Sequence, residues 1–131
     1  MLDYTITRTD NPTSAEKLSE ILANPGFGKH FTDHMVTIDW TEEKGWHDAQ
    51  VRPYGPMTME PASSVFHYGQ AIFEGIKAYR QPDDSIATFR PDHNAQRFIN
   101  SAERLAMPKL PKEEFIESLR QLVEVDKDWV P

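Results

Sequence analysis

Hydrophobic residues recur along this chain with two periods, and the predicted element changes wherever the period does. Thr13-Ser14-Ala15-Glu16 has the pattern of a capping box, in which the Thr13 hydroxyl accepts a first-turn amide and the Glu16 carboxylate reaches back. Ala15, Leu18, Ile21 and Leu22 then form a helical stripe that stops at Asn24-Pro25-Gly26. Met35–Trp40 alternates with period two, placing Val36, Ile38 and Trp40 on one strand face. Thr41–Gly45 predicts a turn, and Ala49–Arg52 its returning antiparallel partner. Pro53, Pro56 and Pro61 confine their own segment to edges or bulges, because proline donates nothing to a ladder. Ala71–Arg80 and Ser85–Arg90 predict a second hairpin across Gln81-Pro82-Asp83-Asp84.

The period turns helical at Pro91. Ala95, Phe98, Ile99, Ala102, Leu105 and Ala106 line one side of a helix opened by Pro91 or Asp92 and stopped by Pro108. A further helix starts near Pro111, with Phe115, Ile116, Leu119, Leu122 and Val123 as its buried stripe. Strands come first and the longer helices afterwards, so the expected fold class is α+β, an antiparallel sheet with helices packed on one face. No internal repeat or low-complexity tract interrupts it. The closing residues Trp129-Val130-Pro131 come directly after a helix, which is the end expected of a segment cut from a longer chain.

Composition narrows the class of function. A formal net charge of -7 argues against general affinity for nucleic acid or anionic membrane, both of which need clustered Lys and Arg. The absence of cysteine excludes disulfides and thiolate metal sites and is compatible with a reducing cytoplasm. Met1-Leu2-Asp3-Tyr4 opens no signal sequence, and no apolar run approaches the ~20 residues of a membrane span.

Candidate chemistry concentrates in Phe66-His67-Tyr68-Gly69-Gln70-Ala71-Ile72-Phe73-Glu74-Gly75-Ile76-Lys77-Ala78-Tyr79-Arg80, expected as one extended segment. Glycines weaken a pleated strand, so Gly69 and Gly75 around Phe73 suit a backbone that something must approach closely. Tyr68 and Phe73 suit a core as well as a pocket, and Glu74 suits either a strand edge or a cation partner. Arg97 shares a helix face with His93, Asn94, Ser101 and Arg104. Its rigid fork fits phosphate or carboxylate, though a solvated helix-face arginine is the commoner case. His67 has no carboxylate or nucleophile at a recognisable spacing. His30 and His34 lack an evident third ligand, so no metal site is expected. Gly26-Phe27-Gly28-Lys29 comes after a helix and lacks a Ser or Thr after the lysine, unlike a phosphate loop.

Four blocks carry a family resemblance: Phe27–Met35, Phe66–Tyr79, Phe89–Ala102 and Val125–Pro131. Together they resemble the N-terminal part of branched-chain amino-acid aminotransferases, pyridoxal-phosphate enzymes of fold type IV. The resemblance implies residues 1–24 as an extension with a short helix, and 25–131 as a small domain truncated before a larger catalytic one. It implies that Arg97 binds the cofactor phosphate, that Tyr68 and Phe73 wall the pocket for the branched side chain, and that Gly75 and Phe27 border it. It further implies amino-group transfer from leucine, isoleucine or valine to 2-oxoglutarate, a cytoplasmic location and a homodimer. One methylene in such a pocket is worth only ~1–3 kcal/mol, so all three substrates should be accepted. The family's Schiff-base lysine belongs to the larger domain. None of Lys17, Lys29, Lys44, Lys77, Lys109, Lys112 and Lys127 matches it, so no catalytic residue is expected in this chain. The alternatives are a non-catalytic binding or dimerisation module, and a relative of D-amino-acid transaminases or aminodeoxychorismate lyases.

Overall fold

A computed structural model describes residues 1–131. The chain forms strand β1 (Thr5–Ile6), helix α1 (Ala15–Ala23), strands β2 (His34–Thr41) and β3 (Gly45–Pro53), and a one-turn helix α2 (Ser64–His67). Strands β4 (Ala78–Arg80) and β5 (Ile86–Thr88), helices α3 (Pro91–Arg104) and α4 (Lys112–Val125), and a 3-10 turn over Lys127–Trp129 complete it. The class is α+β, as the periodicity predicts.

The sheet differs in detail. It is two small sheets, β1-β3-β2 and β4-β5, and β1 runs parallel to β3 while the other pairings are antiparallel. The short parallel strand makes β3 central, and Ala49 and Val51 on it are buried. Between Thr37↔Gln50 and Asp39↔His47 the β3 side takes one step more than β2. The extra residue falls around Asp48, whose φ of 50° is the left-handed geometry of a bulge. The expected face of Val36, Ile38 and Trp40 holds only in part: Val36 and Ile38 are half-buried, whereas Trp40 is exposed at the strand end.

The core is formed where α3 and α4 meet the first sheet. Ala95, Leu110 and Phe115 are its buried centre, with Ile38, Trp46, Phe98, Ile116 and Leu119 packed around them. The rings of Phe98 and Phe115 tilt against each other at 5.3 Å between centroids. Trp46 reaches the same region and donates its indole N–H to the Lys109 carbonyl.

Helix ends correct one expectation and show how another is met. The N-cap of α1 is Ser14, whose Oγ accepts from the Lys17 amide. Thr13 instead turns its hydroxyl and its N–H to Asp33, so the Thr13/Glu16 box does not form. Helix α3 starts with Pro91 and stops before Pro108 through a Schellman pair: Met107 N–H to Ala102 O, and Ala106 N–H to Glu103 O. Ala106 occupies the left-handed position, φ 53°, usually given to glycine.

The stretch expected as one extended strand is not one. Ser64–His67 is helical, and only Ala78–Arg80 pairs in a ladder. Between them burial still alternates, with Ile72, Glu74 and Ile76 half-buried and Phe73, Gly75 and Lys77 exposed. The side-chain pattern of a strand is present without a neighbouring backbone to pair with. The C-terminal residues dock: Arg80 N–H donates to the Pro131 carbonyl, its guanidinium to the Lys127 carbonyl, and the Trp129 indole to Asp33.

Candidate functional site

Glu74 organises the site. Its side chain is only 10% exposed, and three donors from one face of α3 converge on it. Arg97 lies side-on, with Nε to Oε1 at 2.9 Å and Nη2 to Oε2 at 2.8 Å. Asn94 Nδ2 donates to Oε2 at 2.9 Å and to the Gly75 carbonyl at 2.9 Å. Asn94 and Arg97 are three residues apart, which sets both on the same helix face. The carboxylate is therefore held below the usual range, chiefly by the Arg97 hydrogen bonds, with Asn94 adding to them against a desolvation cost. The guanidinium is raised in turn. The question of Glu74 closes in favour of a cation partner.

This contact joins two regions that the sequence separates. Phe73 and Gly75 flank Glu74, so the clamp ties their backbone to the helix that carries Arg97. Arg97 keeps 64% of its side chain exposed and makes no intrachain hydrogen bond through Nη1, so one edge of the fork points away from the carboxylate. Phe73 is 88% exposed and borders an open cleft of about 430 Å³ with Ala71, Ile72, Asn100, Ser101, Arg104 and Leu105. Gln70 braces that cleft by donating to the Leu105 carbonyl at 2.8 Å.

The remaining candidates separate. Tyr68 caps the end of α2 and is 86% exposed, stacked on no ring. Phe27 is 97% exposed on the turn between Gly26 and Gly28, both at positive φ, and no aromatic contact joins it to Tyr68 or Phe73. The two glycines of the motif have different causes. Gly69 adopts φ 62°, which by itself favours glycine, whereas at Gly75 an added Cβ would meet nothing within 4 Å. Packing within the chain gives no reason for glycine at 75.

His67 is not free to act as a base through Nε2, which donates to the Pro61 carbonyl at 2.6 Å. His30 and His34 do not converge, since His34 is buried against Asp126. Sequence reasoning missed one cluster, Asp39, His47 and Asp48, brought within 4.8 Å by cross-strand pairing and the bulge. It is largely exposed, and acidic groups gather this way without an ion. Sequence reasoning set Asn94 on the Arg97 face without giving it a role; it is only 9% exposed, and its one signal was its place nearly one turn before Arg97.

No protein-family model matches the chain. Curated relatives do. Over 130 residues it is 58% identical to the branched-chain-amino-acid aminotransferase of Mycolicibacterium smegmatis, covering 99% of this chain and 35% of that protein. It is 59% identical over 121 residues to a probable branched-chain-amino-acid aminotransferase of Streptomyces coelicolor, covering 92% and 33%. Against branched-chain-amino-acid transaminase 1 of Bacillus subtilis the identity is 55% over 106 residues, covering 81% and 30%. Similarity of this depth runs over nearly the whole chain and is to one part of proteins named as aminotransferases. More narrowly, it matches an N-terminal part of proteins named branched-chain-amino-acid aminotransferases, and it spans about a third of the length of the relatives it matches.

Proposed function

We propose that this segment supplies the phosphate contact and the side-chain pocket of a pyridoxal-phosphate aminotransferase that moves the amino group of leucine, isoleucine or valine to 2-oxoglutarate. The observation that carries the reading is the Glu74–Arg97 contact, which ties the anion-binding candidate to the segment that carries the pocket candidates Phe73 and Gly75. The donor set fits a phosphate in kind: a guanidinium with one side anchored and the other accessible. When bound, the cofactor supplies the electron sink for breaking bonds at the amino acid's α-carbon. Arg97 would hold its phosphate, while Phe73, Tyr68 and Phe27 would exclude water from an aliphatic side chain. The open backbone at Gly75 would admit that chain without a Cβ in its way.

No lysine of this chain is assigned the covalent cofactor bond, so the 131 residues alone are inactive in this reading. Residues 25–131 act as a small domain of a larger cytoplasmic homodimer, with 1–24 as an extension. The test is cofactor retention in the whole polypeptide containing these residues. Arg97→Ala should weaken pyridoxal-phosphate binding by about 10- to 100-fold, the scale of a charge-assisted hydrogen bond. Unchanged affinity removes Arg97 from the site. Borohydride-trappable pyridoxal phosphate on the 131-residue chain would overturn its assignment as lacking the covalent lysine.

A further inference from the structure

We infer that Glu74 is a positioning residue for phosphate recognition, acting through Arg97 and resting on the assignment of Arg97 as the phosphate-binding arginine. The geometry is that of a bracket. Glu74 accepts from Nε and Nη2, which fixes the plane and the rotation of the guanidinium and leaves the Nη1 side outward. Arginine carries several freely rotating bonds, and a planar fork delivers two parallel hydrogen bonds to an anion only when its plane is set beforehand. Arg97 is on a helix surface with most of its side chain in solvent, so without Glu74 no contact holds it in one orientation.

The bracket is itself anchored. Asn94, buried on the same helix, holds Glu74 Oε2 and the Gly75 carbonyl with one amide. The orientation of Arg97 is thereby tied to the backbone of the Phe73–Gly75 segment, and phosphate contact and pocket wall keep a common register. A carboxylate beside an anion site also repels the anion. Here it sits against the opposite side of the guanidinium from Nη1, and the exposed side is screened by water. Orientation is the larger effect, so removing the charge of Glu74 weakens phosphate binding and does not strengthen it.

The experiment compares pyridoxal phosphate and pyridoxal as probes in the whole polypeptide, for the unmodified protein, Glu74→Gln, Glu74→Asp, Arg97→Ala and the Glu74→Gln/Arg97→Ala double variant. Glu74→Gln should weaken pyridoxal phosphate by about tenfold and leave pyridoxal within about twofold, because only the phosphate is read through Arg97. Glu74→Asp, which keeps the charge on a shorter arm, should show a smaller loss with the same selectivity. It carries the test should the glutamine variant fail to fold. In the Arg97→Ala background, Glu74→Gln should add no further loss, the signature of two residues acting as a unit. Equal weakening of both probes would make Glu74 merely structural and overturn the inference, as would unchanged or tighter pyridoxal-phosphate binding. Weakening by Arg97→Ala without weakening by Glu74→Gln overturns this inference alone. No effect of Arg97→Ala overturns the phosphate reading of Arg97 and this inference with it.

Discussion

His34 donates from Nδ1 to Asp126 Oδ1 across 2.7 Å, and both side chains are buried. The Thr9 backbone N–H can only donate, so Nε2 accepts it at 2.9 Å and the ring proton resides on Nδ1. Asp126 also accepts the His34 amide at 3.0 Å. Three separated parts of the chain, before α1, at the start of β2 and at the end of α4, are thus fastened at one point.

Removing either partner strands a buried polar group. His34→Ala and Asp126→Leu should each destabilise the fold by about 2–4 kcal/mol, measured by urea unfolding. The double variant should cost less than the sum of the singles. A loss under about 0.5 kcal/mol, the scale of an ordinary surface change, would show that the pair carries no stability.

Asp33 predicts an acid-side dependence. Burial opposes its ionisation, but hydrogen bonds from Thr13 and the Trp129 indole outweigh this and hold its pKa below the ordinary 3.8. A depressed folded-state pKa means that its contribution is complete above the unfolded value and drains away as pH falls through the folded one. Thr13→Val should flatten the fall of stability below about pH 4, read as the urea midpoint against pH. An unaltered acid slope would remove Asp33 as its source.

Ala106 offers a gain. A residue with a Cβ in the left-handed region is strained, and this one closes the Schellman end of α3. Ala106→Gly should stabilise by about 0.5–1 kcal/mol, the relief exceeding the added freedom of the unfolded chain. Thermal unfolding provides the check, and a lower Tm would contradict it.

Aromatic residues divide by burial. Phe115→Ala should cost about 3–5 kcal/mol, as expected for a filled core. Phe73→Ala should leave stability within about 0.5 kcal/mol, since the ring packs on little of this chain. If Phe73 walls the substrate pocket, the same variant in the whole polypeptide should raise KM for leucine. A fold-destabilising Phe73→Ala would instead make the ring part of the core.

Local pattern sufficed for the elements whose partners are near in sequence. The helices over Ala15–Ala23, Pro91–Arg104 and Lys112–Val125 and the β2–β3 hairpin arise from periodicity, proline and turn residues alone. The Phe66–Tyr79 block, with three others, likewise carried the family resemblance that the relatives bear out. The same residues misled about conformation, because alternating side chains mark a face whether or not a ladder exists. Tertiary structure decided the ladder, the cap at Ser14 and the parallel strand β1. It also decided the contacts between distant segments: Glu74 meets Arg97 at the candidate site across 23 residues, and His34 meets Asp126 in the interior across 92. Such pairs are set by how α3 and α4 pack, which no local period encodes. Spacing alone therefore favoured a solvated surface arginine at Arg97 over an anion ligand. Its anchored side and its open one became visible only once Glu74 was placed beside it.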